Sequence, residues 1–134
     1  MPEADVDHIY DYPKGYIEDI LKSVKTIAMV GASGDKTKFS YGVLRVLHET
    51  GYEMLPVNPN PNIKEIRGLK VFHSLEEIDK NVDMVQVFRR KEELLSVAKE
   101  AVKINAQVIW WQIGVYDDED ENVARSAGLK VVMN

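Results

Sequence analysis

Five short apolar runs, each followed by a turn and each separated from the next by polar or amphipathic chain, constrain this sequence more than anything else in it. They are Ile27-Ala28-Met29-Val30 and residues 52–57, 84–88, 108–112 and 129–133. Runs this brief and continuously apolar are strands buried on both faces, and such strands need helices above and below them. The intervening segments supply the helices. Ile17, Ile20, Leu21 and Val24 recur at helical spacing. Val43, Leu44 and Leu47 follow Ser40, which fits an N-cap, and Gly51 stops that helix. Leu94, Val97, Ala98, Ala101 and Val102 form a third stripe. Residues 117–127 make a fourth helix whose acidic first turn suits the positive end of the helix dipole, with Gly128 behind it. Strands alternating with helices predict an α/β fold: a doubly wound, mainly parallel, Rossmann-like sheet with helices on both faces.

Between residues 58 and 79 the pattern loosens, with Val71-Phe72 read as a short strand and residues 75–78 as a helical turn capped by Ser74. Residues 1–15, with Asp5, Asp7, Asp11, Tyr10, Tyr12 and two prolines, read as an arm, and residues 16–134 as one domain. With 17 basic against 22 acidic residues the net charge is −5, which disfavours nucleic acid or an anionic membrane as partner and leaves room for a small anion held by locally gathered cations. The absence of cysteine removes disulfides, thiol nucleophiles and thiolate metal sites. No apolar run approaches the roughly 18 residues of a membrane span, and the acidic start is no signal peptide, so the expected location is cytoplasmic. A protein partner or a homo-oligomer stays open.

Ligands of such sheets bind outside the carboxyl ends of the strands, near the point where strand order reverses. The segment after the first strand, Gly31-Ala32-Ser33-Gly34-Asp35-Lys36-Thr37-Lys38-Phe39-Ser40-Tyr41-Gly42, is rich in small and hydroxyl residues and carries two lysines. Glycine permits close backbone approach, and free N–H groups at a helix start hold phosphate oxygens. The dinucleotide fingerprint is nevertheless absent. Counted from Gly31, its glycines would fall at 31, 33 and 36, where the chain has Gly31, Ser33 and Lys36. The second strand ends in Val57-Asn58-Pro59 without the ribose-binding carboxylate, Glu53 lies at its wrong end, and no GxxxxGK[ST] occurs. A phosphate-bearing ligand other than a dinucleotide is expected.

The blocks Gly31-Ala32-Ser33, Gly51-Tyr52, Pro56-Val57-Asn58-Pro59, Gly68, Ser74-Leu75, Val82-Asp83, Phe88-Arg89, Trp111-Gln112-x-Gly114 and Ala127-Gly128, in this order, resemble the single-domain CoA-binding protein family. That family is similar to the nucleotide-binding domain of the succinyl-CoA synthetase α subunit. The resemblance covers residues 24–133 and implies a site for coenzyme A or an acyl-CoA. It implies that Gly31, Ala32, Ser33 and the region of Lys38, Ser40 and Tyr41 hold the phosphates. It places Pro56, Val57, Asn58 and Pro59 on the adenosine side, and Phe88, Arg89 and Arg90 near the pantetheine or phosphate groups. The synthetase subunit continues into a second domain with a phosphorylated histidine, for which this chain has no counterpart. His8, His48 and His73 read as surface or packing residues. Family members often carry a cysteine a few residues beyond the final strand, and no such residue is found here.

The residues themselves suit the same ligand. CoA joins a pyrophosphate and a 3′-phosphate to an adenine and a long neutral arm, so its site needs cations and an apolar slot. Lys36, Lys38, Arg89 and Arg90 are the available cations, and Gln112 and Gly114 form one wall of the cleft. Trp110 and Trp111 alternate to opposite faces of their strand and are both assigned to packing. The acidic run 117–121 points in several directions around its helix and is read as a solvated helix start rather than a metal cluster. No nucleophile, base and orienter converge, so a carrier, sensor or accessory module is expected rather than a complete enzyme. The alternatives are an NAD(P)-dependent oxidoreductase and a regulatory interaction domain without ligand.

Overall fold

The structure is a computed structural model that describes residues 14–112 and 118–133. It opens with helix α1 (Tyr16–Ser23), strand β1 (Thr26–Val30), helix α2 (Phe39–Thr50) and strand β2 (Glu53–Val57). A two-stranded ribbon follows, β3 (Glu65–Ile66) against β4 (Leu69–Lys70). The chain then runs through β5 (Met84–Val87), α3 (Leu94–Lys103), β6 (Val108–Trp111), α4 (Asp118–Ser126) and β7 (Lys130–Met133). Single 3-10 turns lie at Leu75–Glu77 and Lys91–Glu93.

The main sheet is parallel throughout, in the order β2-β1-β5-β6-β7. Each strand alternates sides, and this splits the core in two. Ala28, Val30, Leu55, Val57, Val85, Val87, Ile109, Trp111, Val131 and Met133 face α3 and α4, where Leu94, Val97, Ala98, Ala101 and Ala124 are buried against them. Ile27, Met29, Met54, Met84, Val108 and Val132 face the other way, onto Ile20, Val24 and Leu44 of the α1 and α2 side. Burial of both faces is why these strands are apolar without interruption, and the doubly wound sheet follows from that pattern. Tyr16 ties the start of α1 across the sheet by donating its hydroxyl to the Val131 carbonyl at 3.3 Å. No helix among the described residues is long and apolar enough to cross a membrane.

Strand order reverses between β1 and β5. From β1 the chain turns outward to β2, and from β5 it proceeds the opposite way to β6 and β7. The crevice at the carboxyl ends of β1 and β5 is therefore where the fold offers a ligand site.

Several local expectations change. Helix α2 begins at Phe39 with Lys38 as its N-cap residue, so Ser40 lies in the first turn, buried, rather than capping it. Ser74 precedes the turn at Leu75–Glu77 without a side-chain capping bond. The strand expected at Val71-Phe72 is displaced two residues earlier into β4, while Phe72 makes only a parallel bridge to Val57. Trp111 is fully buried, as expected of packing, but Trp110 on the opposite face is only partly covered. The acidic run is not uniformly solvated. Asp120 is 1% exposed while Glu119 faces solvent, and Glu121 accepts a hydrogen bond from Arg125 at 2.5 Å. Asp117, like the arm up to residue 13, lies outside the described residues.

Candidate functional site

At the end of β1 the backbone is clasped. The N–H groups of Gly31 and Ala32 both donate to the Val57 carbonyl, at 3.0 and 3.2 Å, and the Asn58 amide donates to the Ala32 carbonyl at 2.8 Å. Gly31 has φ +89°, and a Cβ built there would stand 2.3 Å from the Phe88 carbonyl oxygen. Glycine is required at this position so that β1 and β5 can leave the sheet side by side. Gly31 and Ala32 thus have their amides committed within the protein, and Ala32 is wholly buried. They anchor the loop. The donors lie farther along.

The N–H groups of Ser33, Gly34, Lys36, Phe39 and Ser40 have no protein acceptor among the described residues. The loop that carries them is braced from within. The Asp35 N–H donates to Ser33 Oγ at 3.0 Å, and the Thr37 N–H and hydroxyl donate to Asp35 Oδ1 at 2.9 and 2.7 Å. These Thr37 bonds hold the Asp35 carboxyl below its ordinary value. Ser33 consequently works as a brace through its side chain and as a donor through its backbone. Lys36 and Lys38 are exposed and make no ion pair among the described residues. Amides without an acceptor among the described residues, next to the N-terminus of α2 and with two lysines beside them, have the chemistry an anion would need.

Across the crevice the cations are engaged. Arg89 Nε donates to Glu93 Oε1 at 2.6 Å, and Arg90 Nε to Glu93 Oε2 at 3.3 Å. Burial alone would raise the Glu93 carboxyl, but the two guanidiniums outweigh it and hold it below the ordinary glutamate value. Arg89 also borders a cavity of about 330 Å3 on the α3 side, formed with Val30, Val57, Pro59, His73, Ser74, Leu75 and Glu93 among others. On the α2 side a second groove, of about 230 Å3, is lined by Leu21, Phe39, Val43, Leu47, Met84, Gln86, Phe88, Trp110 and Gln112. Phe39 and Phe88, both in its lining, meet edge to face with ring centroids 6.0 Å apart.

The fold therefore gathers Gly31, Ala32, Ser33, Lys38, Ser40, Val57, Asn58, Pro59, Phe88, Arg89, Arg90 and Gln112 around the carboxyl edge. Pro56 and Tyr41 stand back from it. Pro56 is inside β2, its carbonyl accepting from the Phe72 N–H at 2.9 Å, and Tyr41 packs among the residues of the α1 and α2 core. Gly114 lies outside the described residues. Sequence reading passed over Gln86 and Glu93, and read His73, which borders the cavity on the α3 side, as a surface or packing residue. Gln86 is a polar residue in the middle of an apolar strand, and that interruption was the available clue. Glu93 stands four residues after Arg89, the spacing of a helical ion pair.

Comparison with known proteins gives a consistent picture. The sequence pattern of the family described as a CoA binding domain matches residues 25–134. The Bacillus subtilis protein YneT is 40% identical over 121 residues, covering 90% of this chain and 88% of its own. The α subunit of the ADP-forming acetate–CoA ligase I of Pyrococcus furiosus is 37% identical over 73 residues, 52% of this chain but only 16% of that subunit. Among solved structures, a hypothetical protein from Pyrococcus horikoshii superposes with TM-score 0.89 at 32% identity, over 97% of this chain and 90% of that one. The dinucleotide-forming acetyl-coenzyme A synthetase 1 of Candidatus Korarchaeum cryptofilum matches with TM-score 0.66 at 26% identity, over 80% of this chain and 25% of the synthetase.

Proposed function

Because the chain belongs to the CoA-binding domain family, we propose that it binds coenzyme A or an acyl-CoA at the carboxyl edge of its sheet, as a carrier, sensor or accessory module. The observation that carries this reading is the set of N–H groups at Ser33, Gly34, Lys36, Phe39 and Ser40 that have no acceptor among the described residues, beside Lys36 and Lys38. A pyrophosphate supplies the acceptors that these donors lack, and bonds to a charged acceptor are about twice as strong as neutral ones. The cavity beside Pro59, Ser74 and Leu75 has the position and partly apolar lining for an adenosine.

A nicotinamide dinucleotide fits poorly. At the end of β2 the side chain that would meet its ribose is Asn58, whose amide is spent on the Ala32 carbonyl. Calorimetric titration with CoA, acetyl-CoA, NAD and ATP tests the proposal. CoA or acetyl-CoA is expected to bind and NAD not to; equal affinity for NAD, or a preference for it, overturns the assignment.

A further inference from the structure

Helix α2 carries an apolar stripe that the described residues leave open. Phe39 is 71% exposed and Val46 50%, the large apolar side chains that stand exposed among the described residues. They lie seven residues apart with Gly42 and Val43 between them, the spacing of one helix face. Together with Arg45 and Leu47 they shape a hollow of about 390 Å3 on the outside of the helix. Gly42 bears on what fills it. A Cβ added there would meet nothing within 4 Å, so no contact of the described residues demands a glycine, although glycine inside a helix costs stability relative to alanine. A position without a side chain at the middle of an exposed apolar stripe leaves room for another stretch of chain to lie close.

Charge selects the occupant. Lys36 and Lys38 stand just before the stripe without an ion pair among the described residues. On its flank Arg45 and Arg67 share the one carboxylate of Glu49, at 3.5 and 2.8 Å. A surface with this excess of positive charge repels a second copy of itself and attracts an acidic segment. Residues 1–13 are such a segment. They hold Glu3, Asp5, Asp7 and Asp11 with neither lysine nor arginine, and Val6, Ile9 and Tyr10 stand between the acids. They join the described chain at Lys14, just before α1, and α1 packs on the same side of the sheet as α2. A segment of this length reaches about 43 Å when extended, against about 18 Å for the whole of α2 and about 19 Å across five strands. We propose that residues 1–13 dock along the outer face of α2 in the same chain, with Val6 and Ile9 against Phe39, Gly42 and Val46 and the acids toward Lys36, Lys38 and Arg45. The inference stands apart from the CoA reading and uses none of it.

The chain has no cysteine, so a pair of introduced thiols reads proximity without background. The full chain is prepared with Ile9→Cys and Val46→Cys, and as a control with Ile9→Cys and Glu119→Cys, the latter on α4 across the sheet. Both are oxidised mildly at low protein concentration. Val46 and Glu119 are exposed, so neither substitution disturbs the core. An intramolecular disulfide is expected to form about tenfold faster in the first pair than in the control, since docking raises the effective concentration of the two thiols. Adding Asp5→Lys and Asp7→Lys to the first pair should slow it about fivefold, because the segment then carries the charge of the surface it meets. Equal rates in the two pairs, or a rate indifferent to the charge reversal, overturn the proposal. A disulfide that forms only between two chains overturns it as well, and makes a second copy the occupant.

Discussion

The two loops that face each other across the crevice are built on opposite plans. The loop after β1 satisfies its own side chains, Ser33, Asp35 and Thr37 bracing one another, and leaves backbone N–H groups and two lysines unspent. The loop after β5 carries the denser positive charge, Arg89 and Arg90, and spends both on Glu93. With two of these cations in each loop, a count of cations does not separate them, whereas a count of unpaired donors among the described residues ranks the first. Desolvating an anion favours the loop that need break nothing to receive it.

The sharpest way to break this contrast is Gly31→Val. With a positive φ and the Phe88 carbonyl oxygen 2.3 Å from the added Cβ, a β-branched side chain forces β1 and β5 apart, and a loss of ~3–5 kcal/mol in folding stability is expected. The substitution is thus a test of the sheet, not of ligand contact. A Gly31→Val protein that melts with the parent would show that the two strand ends need not approach so closely. Next in size is Lys38→Ala. A lysine with no ion pair among the described residues that meets a phosphate should cost about 1.5–3 kcal/mol of CoA affinity when removed, read by calorimetry. An unchanged affinity would leave the loop with its amides alone.

The smallest effects concern Glu93. Glu93→Gln releases both guanidiniums and should tighten CoA binding severalfold if the second loop is held in check by that carboxylate. The same variant should respond differently to acid. Because the folded Glu93 sits below its ordinary value near 4.5, its ion pairs stabilise the parent above that pH, and the contribution is lost as pH falls through the depressed folded value. The melting temperature of the parent should therefore drop more steeply below pH 4.5 than that of Glu93→Gln. Parallel curves would mean that the pair adds nothing to stability.

What was legible in the sequence follows from the same physics. The five strands and four helices could be read because burial on two faces writes continuous apolar runs and burial on one face writes a helical stripe. The ribbon of β3 and β4 escaped, since strands of two residues are too short to show alternation and its turn depends on positive φ at Arg67 and Gly68. At the site, composition and resemblance pointed to the loop after β1 but not to which of its atoms are available. That Gly31 and Ala32 are anchors while Ser33, Gly34 and Lys36 offer donors is decided by one carbonyl, that of Val57, on a strand brought alongside by folding. Glu93 and Gln86 were missed for a related reason. Each gains its meaning from neighbours that only the assembled sheet defines.

The neighbouring of β1 and β5 also sets an order of assembly. β1 can pair with β2 as soon as α2 has formed between them, but Ile27 meets Met84 only after the ribbon and the turn before β5 have been threaded past. It is the strand pairing that closes the longest stretch of chain in the main sheet, and pairings of that kind form slowly. Both walls of the crevice hang from it. In a chain refolding from denaturant the helices are expected to form before this pairing, and the crevice is complete only once β1 and β5 have closed.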